Sequence, residues 1–218
     1  MNADTGQAEQ IVSVGGVTNI QPDCGLNQQC FDRLWVSGIG FFQSQEFQQK
    51  GYFVYRMYKL LAANGARKPT YREFIPDMVS LAGTSDADKN SFVNRFMTRA
   101  DYQTYYGGLS NSNFVARLVE ASGTPGSFNQ AQMVSELDAR TKTRAQLLRE
   151  VAENAQVYAR YFNEAWTVMS YFGFLRRDGA ESEYNSWLSV LNANPNDYRQ
   201  MTNGFANSIE YRQRFGQP

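Results

Sequence analysis

The stretch Phe205-Ala-Asn-Ser-Ile-Glu-Tyr211 decides the fold. Asn207 and Ser208 place side-chain oxygens where they can accept from the free N–H groups at the start of a helix. Glu210 then falls in that helix's first turn, facing the positive end of its dipole. The two aromatics flank the kink and turn toward a core. The stretch reads as a helix–kink–helix corner. The same order of residue types stands at Phe41, Ser44, Glu46-Phe47 and at Phe96, Thr98, Asp101-Tyr102. A fourth copy, Val151, Asn154, Gln156-Val157, has lost its aromatics and its acid. The second apolar positions are residues 47, 102, 157 and 211, at intervals of 55, 55 and 54. A fixed period of this length marks a repeat architecture. Gly51, Gly107 and Gly216 follow three of the copies and read as helix stops.

Between the corners the apolar residues keep a helical period. Phe92 and Phe96 are four apart, as are Phe114 and Leu118, with Val115 and Val119 beside them. Thr143-x-x-Gln146 is a capping box, and Leu147, Leu148 and Val151 follow it on one face. Phe162, Ala165, Trp166, Met169 and Phe172 form a longer stripe, and Tyr184, Trp187, Leu188 and Leu191 another. Loops fall at Asn64–Pro69, Gly123–Gly126, Arg176–Ser182 and Asn192–Asp197. No alternating strand pattern occurs from residue 31 onward. The expectation is an all-α fold over residues 23–218, its helical repeats, with a period of about 54–55, packed into one domain. Residues 1–22 contain β-branched residues and a Gly pair but no helical period, and read as an extended arm or a leader. The first repeat lacks its upstream half, so an arm from one copy could complete the array of another.

Length and composition suit a folded chain: 218 residues, 42% hydrophobic and 14% aromatic. Formal net charge is zero, with ten basic and ten acidic residues in 1–109 and eleven of each after that. A polyanion-binding domain carries a basic excess, so neither nucleic acid nor an anionic membrane surface is an expected partner. No apolar run is long enough to cross a membrane. Met1 is followed by polar residues, unlike a signal peptide. On an exported reading, the signal lies upstream of residue 1 and Met1 is a start residue added for expression.

Cys24 and Cys30 lie in "CGLNQQC". So close a pair in a loop reads as a local disulfide, contributing about 2 kcal/mol on the chain-entropy account and favouring an oxidising compartment. Two free thiols in a reducing compartment are the alternative. The chain has no histidine, which removes Ser-His-Asp and Cys-His catalysis and the common zinc sites. Asp86, Asp88 and Asn90 imitate the opening of a calcium loop. Ser91 and Met97 stand where that loop needs Gly and Glu, so a helix capped by Ser85 is the better reading. Glu46, Asp101 and Glu210 could be taken for catalytic carboxylates, but one copy per repeat points to capping. Arg176 and Arg177 could bind an anion, or could complement the end of a helix before the Gly179 turn, which is preferred. Tyr55, Tyr102, Tyr105 and Tyr106 are the candidates for an exposed aromatic, ligand-binding surface. No metal or cofactor is expected.

Several segments together resemble a known family. They are residues 41–59, 71–78, 142–153, 162–179, 184–192 and 205–216. The family is an exported bacterial repeat domain of unknown function, similar in helical pattern to phycobilisome linker domains. The resemblance covers about residues 23–218. It implies an all-helical fold and an extracellular or cell-surface setting, and no catalytic residues. Two departures stand out: the family's Pro is missing from the turn at Arg176–Gly179, and the 1–22 arm replaces the upstream half of the first repeat. The expected function is a non-enzymatic interaction module for surface attachment or protein assembly, self-associating through the arm. The alternative is a carbohydrate-binding module using exposed tyrosines. A carboxylate glycosidase needs two facing acids, and no residue pair suggests itself.

Overall fold

The computed structural model describes residues 11–14, 17–20, 47–194 and 198–215. The fold is all-α. Among the described residues eleven α-helices follow a single two-stranded hairpin. The hairpin pairs β1 (Ile11–Val14) with β2 (Val17–Ile20) antiparallel, with Ile11 opposite Ile20 and Val14 opposite Val17. The described helices form two compact units: Gln49–Ala165 is one, and the helical residues from Trp166 onward belong to the other. Cys24 and Cys30 lie outside the described residues. No described helix is long and apolar enough to cross a membrane.

A π-turn (Phe47–Gly51) leads into the first unit and its α1 (Tyr52–Lys59), every residue of which is buried. Gly51 has helical torsions and continues the helix, so it does not act as a stop. A helix buried on all sides must bury its polar positions too, and α1 carries two cations. The Arg56 Nε donates to the Ala152 carbonyl, and its guanidinium lies 5.0 Å from the centre of the Tyr158 ring. Lys59 Nζ pairs with Glu164 at 2.6 Å and stands 5.0 Å from the Tyr161 ring centre. Burial pulls the Arg56 pKa down to about 10. Burial lowers Lys59 as well, by more than its Glu164 partner restores.

Around α1 stand α2 (Tyr71–Ser80), α3 (Asp86–Phe96), α4 (Ala100–Tyr106), α5 (Asn111–Ala121), α6 (Gln130–Asp138), α7 (Arg144–Glu153) and the start of α8 (Ala155–Ser170). Reciprocal capping boxes start three of them: Thr70 with Glu73, Ser85 with Asp88 and Thr143 with Gln146. Each such cap stabilises its helix by about 1 kcal/mol. Gly107 ends α4 as expected. Gly65 has φ +62, and a Cβ there would overlap the Tyr161 hydroxyl, which donates to the Ala121 carbonyl.

In the second unit the end of α8 runs into a π-turn (Tyr171–Leu175), followed by α9 (Glu181–Ala193), α10 (Arg199–Ala206) and α11 (Ile209–Phe215). Buried Trp166 packs against Tyr198, ring centres 4.2 Å apart. Phe205 meets Tyr171 edge-on at 4.7 Å and stacks with Phe174 at 5.6 Å.

At each of the three described corners one helix stops and the next begins within a few residues, and two of the three are capped by a side chain. Helix α3 stops at Phe96 and α4 begins at Ala100; α7 stops at Glu153 and α8 begins at Ala155; α10 stops at Ala206 and α11 begins at Ile209. Ser208 Oγ accepts from the Tyr211 N–H at 3.1 Å. Asn154 Oδ1 accepts from Gln156 and Val157 at 2.9 and 3.3 Å. The corner between α3 and α4 departs from expectation. Arg99 occupies the capping position without a cap bond, and Thr98 donates back to the Arg95 carbonyl instead. Thr98 stands one residue too early to cap. Phe41, Ser44 and Glu46 lie outside the described residues.

Candidate functional site

Two arginines, two repeat periods apart, do the same thing in the two units. Arg177 sits three residues before Ala180, which precedes α9. It donates to Glu183 at 3.2 Å and to Glu210 at 2.8–3.1 Å, its guanidinium 5.4 Å from the Tyr171 ring centre. Arg67 sits three residues before Thr70, which caps α2. It donates to Glu73 at 2.6 Å and to Asp101 at 3.2 Å, over the ring of Tyr58 at 5.3 Å. In both cases one arginine joins an acid in the first turn of a helix to the acid of the following corner. In the middle repeat, matched on its Asn129 cap, the three positions hold Gly126, Gln132 and Gln156. All three charges are gone together, which is what a unit predicts.

This corrects the reading of Arg177 as complementing the preceding helix end. Arg176, for its part, takes left-handed torsions, φ 49. The trio also gives the corner acids a partner beyond the helix dipole. The Arg177 hydrogen bonds hold the Glu210 carboxyl below its ordinary value. Burial would raise Asp101, but the Arg99 bonds outweigh it and the net shift is downward. Carboxyls held ionised in this way suit permanent ion pairs and not proton donors.

The two units diverge beside these trios. In the first, Arg99 donates to Asp77, to the Tyr58 hydroxyl at 2.8 Å and to Asp101 at 3.0 and 3.1 Å. Tyr58 itself donates to Asp77 at 2.5 Å. Burial, then the Asp77 bond, pushes the Tyr58 phenol well up. Arg95 donates to Ser80 and lies over Phe92. By the repeat spacing, Asp77 corresponds to Trp187, Arg95 to Gly204 and Arg99 to Ser208. Two arginines have become Gly and Ser, and an acid has become an indole. At these positions the second unit has a groove of about 420 Å³, lined among others by Tyr171, Arg177, Glu183, Trp187, Phe205 and Glu210. A Cβ at Gly204 would meet Cη2 of Trp187 at 2.5 Å, so only glycine lets the indole lie against α10. The π-turn supplies Tyr171 and Leu175 to the wall; π-turns recur at functional sites.

The tyrosines singled out in the sequence do not form an exposed surface. Tyr55, Tyr102 and Tyr106 are 0%, 3% and 1% exposed, and Tyr105 is intermediate. Tyr106 donates to the Leu60 carbonyl and packs on Tyr102, Tyr105 and Phe114. Trp187, expected in the core from its spacing to Tyr184, is instead half-buried at the groove. Among the described residues no group of His, Cys, Asp and Glu suits a metal ion. No protein-family model, curated protein or solved structure matches the chain.

Proposed function

We propose that the chain is a non-enzymatic interaction module, used for attachment or assembly at a cell surface or outside the cell. The observation that carries this reading is the hairpin β1–β2. Among the described residues its sheet has two strands, so each strand has an edge unpaired within that sheet. A lone two-stranded hairpin is marginal in water, and open strand edges are templates for pairing with another chain. The arm of one copy adding to another makes a self-assembling array. The repeated Arg–acid trios support the non-enzymatic part, because a catalytic pair needs no second copy two repeat periods away. The exported setting rests on the Cys24–Cys30 spacing and on the family resemblance. The buried tyrosines leave the tyrosine-based glycan reading without its residues.

Proline in a strand removes a ladder donor. Val12→Pro with Asn19→Pro, which fall opposite one another in the hairpin, should abolish self-association while leaving the helical circular dichroism unchanged. Undiminished association in the double variant contradicts the reading.

A further inference from the structure

We propose that the groove beside Arg177 binds a neutral saccharide, its ring stacked on Trp187 and its hydroxyls bonded to Glu183 and Glu210. This deepens the attachment part of the reading above and rests on it. The volume, about 420 Å³, falls in the range of small-molecule sites. The chemistry narrows the class. Arg177 and Arg214 balance Glu183 and Glu210, so the groove offers an ionic ligand no net charge to pair with. The carboxylates are acceptors with spare lone pairs, and among the described residues Glu183 Oε1 has no hydrogen-bond partner. They call for a ligand rich in O–H donors. The Trp187 indole contributes an apolar face and an N–H that can only donate, so the ligand must also accept. A polyhydroxylated ring with an apolar C–H face meets all three demands; a hydrocarbon leaves the carboxylates unanswered, and a phosphate finds no net positive charge to pair with.

The internal comparison points the same way. At the corresponding positions of the first unit, Asp77, Arg95 and Arg99 bond to their own neighbours. In the second, Trp187, Gly204 and Ser208 replace a closed ionic contact with a recess. Arg177 grips Glu210 with two nitrogens on one side of the recess, and on the other the half-buried Trp187 lies beside Phe205, ring centres 5.8 Å apart.

The test is a titration of the ¹⁵N-labelled full chain with the methyl glycosides of glucose, galactose and mannose, read at the indole N–H resonances. At least one glycoside should produce a saturable shift of the Trp187 resonance, with a Kd in the millimolar range, about −4 kcal/mol. Trp187→Ala, followed at the backbone N–H resonances of Glu183 and Gly204 because the indole is gone, should weaken binding at least about tenfold, equivalent to about 1.4 kcal/mol. Ser186→Tyr, which fills the groove from an exposed position, should abolish it, and decides the matter if Trp187→Ala does not fold. No saturable shift with any of the three, or equal affinity in the variants, overturns the proposal. Failure here with arm-dependent association intact removes the saccharide site alone; loss of both removes the underlying reading.

Discussion

Arg177 closes on Glu210 across 33 residues of chain, with Nε at 2.9 and 3.1 Å and Nη2 at 2.8 Å from the carboxylate oxygens. This contact ties the turn before α9 to the corner between α10 and α11. Arg67 does the same for α2 and the corner before α4, through Asp101 at 3.2 Å. Two-pronged guanidinium–carboxylate pairs fix orientation as well as contributing energy.

Arg177→Ala should therefore destabilise the protein by about 1 kcal/mol, the upper end for a part-exposed pair. A double-mutant cycle with Glu210→Gln, read from urea midpoints, should return most of that as coupling. Arg67→Ala with Asp101→Asn should behave alike. A coupling near zero in both cycles means the trios hold nothing.

Acid should loosen the corners. The folded-state pKa of Glu210 is depressed, first by its Arg177 hydrogen bond, and that of Asp101 is depressed by Arg99 against the opposing effect of burial. For depressed carboxyls the unfolded chain binds more protons, so stability rises with pH through this range. Their stabilisation is fully present above the ordinary values of 4.5 and 3.8. It is lost as pH falls from there through the lower folded values. Thermal midpoints measured from neutral pH downward should fall in that window, and less so in the Arg177→Ala variant.

The buried pair Lys59–Glu164 makes a different prediction. Lys59 is 4% exposed in its side chain and Glu164 15%. Glu164 keeps Arg160 at 3.1 Å, so Lys59→Met leaves it only partly compensated and should cost roughly 2 kcal/mol, short of the full loss for a stranded buried charge. Lys59→Met together with Glu164→Gln should cost clearly less than the single change. Equal losses in the single and double variants, measured by denaturant unfolding, argue against a desolvated pair.

Gly65→Ala should be among the costliest exchanges of one small residue for another, at roughly 2 kcal/mol, since it adds backbone strain to a clash. The clash is with the Tyr161 hydroxyl. Tyr161→Phe in the same chain should recover part of the loss, after allowing about 1 kcal/mol for the hydrogen bond to Ala121. A thermal midpoint unmoved by Gly65→Ala contradicts the placement of that ring.

What was legible in the sequence was local. Capping depends on residues three apart, so Thr143 with Gln146, Ser85 with Asp88 and the Asn154 and Ser208 corners could be read directly. From the sequence the corner acids read as caps alone, because Arg177 and Glu210 meet only through the tertiary fold. The signal was nonetheless present: Arg67 to Arg177 and Glu73 to Glu183 each span two periods of the repeat already evident in the apolar positions. Trp187 looked like core at three residues from Tyr184, but its exposure is set on another helix, by Gly204 and Ser208. Tyr55 stands beside Arg56 and Lys59, cations of a kind that normally marks a solvent face, yet both are satisfied inside the fold and the tyrosine is buried with them. In the arm, Val14-Gly15-Gly16-Val17 between β-branched residues is a hairpin signal that reading for helical period alone passes over.

Sedimentation velocity on the oxidised full chain, beside the chain lacking residues 1–22, tests the central claim most directly. Assembly through the arm predicts species that grow with concentration in the full chain and a monomer at every concentration in the truncated one. A monomer in both, or the same oligomers in both, contradicts it.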